Sequence, residues 1–188
     1  MRTLLRVLAA AALISTFAAA RADEAAPRTA EAGPATLCKD GEHVVLSARV
    51  QLYSAQNELG GPEKLVSLCA DRAKEPFSAL AYRFGDENAA DITITATPRS
   101  KFLIADVWDG PHSGNNIVWF RRGPYVYYVL QATGQGQGVY VDVFKNGKRI
   151  TELGTGADDA RVLRGAEIDF EHVRSPIFAK KAPSDRLE

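Results

Sequence analysis

The sequence predicts an all-β fold, with eight or nine short antiparallel strands forming a β-sandwich or a small β-barrel. Three observations lead there. Apolar and polar residues alternate with a period of two through most of the 188-residue chain, as half-buried strands require. Asn146-Gly147 stands between two extended runs, the signature of a two-residue type I′ hairpin turn. No stretch reads as a long amphipathic helix. Many short strands bury one face each by packing on one another, which a sandwich and a barrel both achieve.

In "HVVLSARVQLY", Val44, Leu46, Ala48, Val50 and Leu52 share one face, and Ser47, Arg49 and Gln51 share the other. "KLVSLCA" is a short apolar run before Asp71, and "SALAYRF" sets Leu80, Tyr82 and Phe84 opposite Ala81 and Arg83. In "DITITATP", Ile92, Ile94 and Ala96 alternate with Thr93, Thr95 and Thr97. "NIVWFRRGPYVYYVLQ" gives two strands joined at Arg122-Gly123-Pro124, the second rich in the aromatic and β-branched residues that suit a pleated surface. "GVYVDVFKNGKRITEL" supplies the Asn-Gly hairpin. "ARVLRGAEIDFEHV" is ambiguous: Glu167, Asp169 and Glu171 alternate with Ile168 and Phe170 as on an edge strand, while Asp158 and Asp159 are suited to opening a short helix.

The ends read differently. Arg2 and Arg6 precede an apolar, Ala-rich run, and Ala20 and Ala22 occupy the −3 and −1 positions of a small-residue cleavage site before Asp23. Residues 1–22 are therefore read as a secretory signal peptide, too short in its apolar part for a comfortable membrane span of about 20 residues. No cysteine directly follows the apolar run, so lipidation is not expected, and no twin-arginine pair precedes it. Residues 23–36 contain nothing large and apolar and read as a flexible leader, and 179–188 as a loose tail, leaving one domain over 37–178. Cleavage removes Arg2, Arg6 and Arg21 and leaves 20 Lys+Arg against 23 Asp+Glu. A slightly acidic chain of this kind argues against a nucleic-acid partner and against stable membrane insertion after cleavage.

Several segments together resemble a family of small exported bacterial proteins of unknown function. These are Cys38 to Glu42 (C-x(2)-G-E), "SLC" at Ser67–Cys69, "YRFG" at Tyr82–Gly85, "GPYVYYV" at Gly123–Val129 and "GVYVDVFKNGKRI" at Gly138–Ile150. The resemblance implies an exported β-rich domain, periplasmic or secreted, and no known activity, catalytic residue or cofactor. It also bears on the two cysteines, Cys38 and Cys69. Members of that family tend to carry two more, where this chain has Ala48 and Thr155, and paired cysteines tend to be lost together. That implies a surviving Cys38–Cys69 disulfide, which export and the even cysteine count also favour. The alternative is that each survivor has lost its own partner.

The main polar constellation is "ADVWDGPHSGNN". Asp106, Asp109 and His112 recur every three residues and are candidates for a metal or catalytic site; Trp108, Asp109, His112, Asn115 and Asn116 are candidate binding residues on a strand-end loop. Asp-Gly-Pro and Ser-Gly-Asn-Asn are equally ordinary turn chemistry. Gly134, Gly136 and Gly138 in "TGQGQGVY" precede a Val-rich strand and lack the Gly-Lys-Ser/Thr of a phosphate loop. Glu167, Asp169 and Glu171 with His172 read as a solvated edge sooner than a carboxylate pair for glycoside hydrolysis. His43 reads as a surface histidine, and no serine sits in a nucleophile elbow. Among Trp108, Trp119, Phe120, Tyr125, Tyr127, Tyr128 and Tyr140, most belong in a core, and any that face outward offer a platform for a glycan or protein. These readings favour an exported, non-catalytic envelope protein that binds a protein or glycan partner, possible forms including an inhibitor of a wall-degrading enzyme. The alternatives are a metal-dependent hydrolase using Asp106, Asp109 and His112, and a lipocalin-like small-molecule carrier.

Overall fold

A computed structural model of the chain describes residues 35–54, 58–108, 110–134, 136–156 and 161–181. They hold eleven strands: β1 (His43–Tyr53), β2 (Leu59–Ala70), β3 (Leu80–Asp86), β4 (Ala89–Ala96), β5 (Phe102–Trp108), β6 (Ser113–Arg122), β7 (Tyr125–Gly134), β8 (Gly138–Lys145), β9 (Lys148–Gly154), β10 (Val162–Arg164) and β11 (Phe178–Lys180). No described helix is long and apolar enough to cross a membrane.

All strands join one sheet in the order β11-β5-β6-β7-β8-β9-β1-β2-β3-β4, with β10 added on β1. The all-β expectation therefore holds, with three differences, the first being eleven strands among the described residues where eight or nine were expected. The sheet is not a closed ring, since β4 and β5 end the meander without pairing to each other. It is also mixed, because β11 runs parallel to β5. Phe178–Lys180 thus belongs to the sheet, although a loose tail was expected from Ala179. Gly165–Glu171, expected as part of an edge strand, is irregular chain beyond β10. The possible helix at Asp158 and Asp159 lies outside the described residues.

The sheet curls so that its two halves face each other across one core. Tyr82 of β3 packs against Phe120 of β6 and Tyr127 of β7, with ring centroids 5.0 and 5.9 Å away. Phe102 and Phe120 stack at 4.3 Å. Val50, Leu80, Ile104, Val139 and Ile177 are fully buried in the same cluster. Phe77 enters it from the β2–β3 loop, its backbone N–H donating to Ser175 Oγ at 2.9 Å. The opposite face of β5–β8 carries a second apolar cluster that includes Ile117, Trp119, Tyr128 and Phe144. The Asn146-Gly147 turn joins β8 and β9 as expected, with both residues at positive φ, 51° and 79°.

The buried polar residues of the other half-sheet have one explanation. Ser47, Ser67 and Arg83 are side by side on β1, β2 and β3 and are 0%, 0% and 5% exposed. The chain from Ala35 to Glu42 supplies their partners. Ser47 Oγ donates to the Ala35 carbonyl at 2.9 Å and shares a 2.7 Å hydrogen bond with Ser67 Oγ, which accepts from Leu37 N–H at 3.0 Å. Arg83 donates to both carboxylate oxygens of Glu42 and to the Leu37 carbonyl. The Cys38–Cys69 disulfide ties this strap to β2.

Arg83's bonds hold the Glu42 carboxyl below its usual pKa of 4.5, outweighing desolvation. Glu42→Gln should lower unfolding free energy by about 2–3 kcal/mol at pH 7, because it leaves a buried guanidinium short of its counter-charge. A carboxyl with a depressed folded-state pKa contributes stability above its unfolded value and loses it as pH falls through the folded one. The gap between wild type and variant should therefore shrink below about pH 4.5, as urea titrations at pH 7 and pH 3 would measure; a gap that does not change with pH would refute the assignment.

Candidate functional site

β5, β6 and β7 each place residues of one face in cross-strand ranks. Ile104, Val118 and Val129 form a rank inside the core. The next rank toward the strand ends is Asp106, Asn116 and Gln131; the one beyond is Trp108, Gly114 and Thr133. The face thus passes from apolar to hydrogen-bonding to aromatic within four residues of each strand. Side chains directly opposed on neighbouring strands are about 5 Å apart, so one small ligand can touch two members of a rank.

The irregular chain Gly165–Phe170 lies opposite as a lip. It leaves β10 along β1, with Ala166 N–H donating to the Val44 carbonyl at 2.7 Å, and then drops Ile168 into the core. Between lip and sheet is a cavity of about 330 Å³ whose walls include Leu46, Leu68, Val118 and Val129. Asn116 and Gln131 from the sheet and Glu167 from the lip stand among its polar lining. Both carboxamides are half-buried, and neither makes a side-chain hydrogen bond among the described residues. Asn116 also reaches a wider cleft of about 720 Å³ that the lip borders together with Ala73, Lys74 and Glu75.

Trp108 is the most exposed large apolar side chain described, at 70%. Its indole lies over Gly114: a Cβ built there would meet Trp108 Cε3 at 3.4 Å. Glycine at this position lets the ring rest on the strand opposite it. Thr133 Oγ1 donates to the Gly114 carbonyl at 3.1 Å and closes the rank.

The structure divides the residues singled out in the sequence. Asp106, Trp108 and Asn116 share one face of the sheet. Asn115 falls on the other face, beside Val107 and Ala132. Both asparagines belong to β6, so the expected loop from Trp108 to Asn116 is shorter than the sequence suggested. His112 is exposed in the turn before β6, and Asp109 lies outside the described residues.

Among the described residues, Asp106 and His112 belong to no group of three convergent metal-ligand atoms; Cys38, Glu42 and Cys69 do, within 4.8 Å. That trio offers no ligand set, because its sulfurs are bonded to each other and its carboxylate is bonded to Arg83. Asp169 serves the local chain: its Oδ1 accepts from His172 N–H at 2.7 Å, and this bond leads in holding its carboxyl below the ordinary range. Of the aromatic set, Trp119, Phe120, Tyr127 and Tyr128 are buried, Tyr125 and Tyr140 half-buried, and only Trp108 exposed. Gln131 had no signal in the sequence, and the lip's alternation read as an edge strand, since only cross-strand register and the return of the chain bring them to Asn116.

No family model matches the chain, and no curated protein or solved structure matches it.

Proposed function

We propose that the protein is an exported, periplasmic or secreted member of the small bacterial family its motifs resemble, and that it binds a glycan or protein of the cell envelope without catalysing a reaction. The observation that carries this reading is the exposed indole of Trp108 seated on Gly114, one rank from the hydrogen-bonding side chains of Asp106 and Asn116. An aromatic face supplies area at low entropic cost, and neighbouring polar groups fix orientation. The pairing suits a sugar ring, whose apolar face stacks on an indole while its hydroxyls reach a carboxylate and an amide. A protein partner is the corresponding alternative, and inhibition of a wall-degrading enzyme, its cleft plugged by this strand-end loop, is one form of that.

The test is titration of the mature domain with soluble peptidoglycan fragments, followed by isothermal titration calorimetry, with capture from a periplasmic extract in parallel. Trp108→Ala is expected to weaken binding at least tenfold, as loss of an exposed aromatic anchor does. Unfolding free energy should change by no more than about 0.5 kcal/mol, as at other exposed sites. His112→Ala is expected to bind like wild type. Absence of any specific ligand in both formats would sink the proposal, as would full retention of binding by Trp108→Ala.

A further inference from the structure

The cavity beneath the lip is a separate feature. It shares Asn116 with the reading above and does not rest on it. Its walls are apolar side chains from both halves of the curled sheet, Leu46 and Leu68 on one side and Val118 and Val129 on the other. Small-molecule sites typically combine such walls with a few convergent polar groups. On the sheet side the polar groups are two carboxamides, register partners on β6 and β7, with no side-chain hydrogen bond among the described residues; Arg164 and Glu167 line the opposite side. Each has one acceptor oxygen and two N–H donors. Leaving a half-buried amide without a protein partner is costly unless water or a ligand bonds to it.

Size and charge narrow the occupant. The volume of about 330 Å³ is roughly twice that of the ~150 Å³ apolar cavity known to admit benzene. Neither Asn116 nor Gln131 can neutralise an ionised group, and burying one without a counter-charge is strongly unfavourable. Glu167 on the lip and Asp106 beside Asn116 further disfavour an anion. Arg164, the one cation lining the cavity among the described residues, already has a partner of its own.

We propose that this cavity binds a small amphipathic molecule of roughly ten heavy atoms in all, whose apolar body lies between Leu46, Leu68, Val118 and Val129 and whose uncharged amide head pairs with Asn116 and Gln131. The geometry suits a primary or N-substituted amide, because such a head both donates to and accepts from a carboxamide.

The experiment is NMR titration of the isotopically labelled mature domain with octanamide, octanoate and octylammonium. Octanamide is expected to shift the resonances of Leu46, Leu68, Val118 and Val129, and octanoate to bind at least tenfold more weakly, given the cost of burying its charge. Asn116→Ala/Gln131→Ala should weaken octanamide binding about tenfold through the loss of two hydrogen bonds, with the chemical shifts of the core otherwise unchanged. Val129→Phe, which fills the cavity, should abolish it; should that variant misfold, the double alanine variant still decides. Trp108→Ala should bind octanamide like wild type, so failure of this site and failure of the envelope-binding reading are told apart. Equal or tighter binding of either charged ligand, shifts confined to the surface around Trp108, or no binding of octanamide overturns the proposal.

Discussion

Replacing Cys38 and Cys69 together by alanine should lower unfolding free energy by about 3–4 kcal/mol, the loop-closure entropy the cross-link removes from the unfolded chain. The closed loop spans 31 positions and contains all of β1, so the unfolded chain gains much freedom when the bond is absent. The folded state loses less, because the strap keeps its hydrogen bonds from Leu37, Ser47 and Arg83. The variant should therefore fold to the same sheet and denature at markedly lower urea, with a somewhat steeper slope because its unfolded chain is less compact. Wild type and variant would be compared by urea titration monitored by far-ultraviolet circular dichroism. A midpoint unchanged by the double substitution, or free thiols in natively purified wild-type protein, would refute this role.

Truncation of Tyr82 to alanine should cost about 3–5 kcal/mol, the range for removing a large aromatic from a core that cannot collapse onto the space. Tyr82 is 1% exposed and is the contact by which β3 meets Phe120 and Tyr127 on the opposite half of the sheet. Its removal takes away the central wedge holding the two halves apart at a fixed spacing. Tyr82→Phe should be tolerated to within about 1 kcal/mol, since it keeps the volume and edge contacts. Its hydroxyl is held protonated well above the ordinary range, chiefly by burial, so neither form ionises in the range where the protein would be studied. Thermal and urea denaturation of the pair would check this. Equal losses for phenylalanine and alanine would show that the hydroxyl, and not the packing, carries the effect.

How much of this was legible depends on what hides each element. β1, β3 and β4 alternate in the sequence because one of their faces meets the core and the other meets solvent or the polar strap. β5 did not stand out: Phe102 and Ile104 enter one cluster while Leu103, Ala105 and Val107 join the other, so no period-two contrast remains. β11 has three residues and a parallel partner, which leaves no local signature at all. The alternation in Gly165–Glu171 is real but has another cause. A lip lying over a core hides every second residue as an edge strand does, and Ile168 and Phe170 are the hidden ones. The site was legible in its unusual residues, Asp106, Trp108 and Asn116. Asn115 and Asn116, ordinary turn formers, read as loop because their place in a strand depends on neighbours that local sequence does not reveal. Gln131 looks like any polar residue near a strand end until β7 is laid beside β6.

The junction between β1 and β9 has a kinetic consequence. Only two residue pairs, Gln51 with Gly154 and Leu52 with Leu153, join them there; β10 adds three more pairs along β1. Every other link of the meander is a hairpin between neighbours in the chain, able to form as its own segment becomes available. β1 must wait for partners about a hundred positions downstream, and pairings of such long sequence separation place a protein among the slower-folding topologies. Until the last third of the chain arrives, the strand synthesised first has an unfilled side, and Tyr82 has Phe120 but not Tyr127 to pack against across the core.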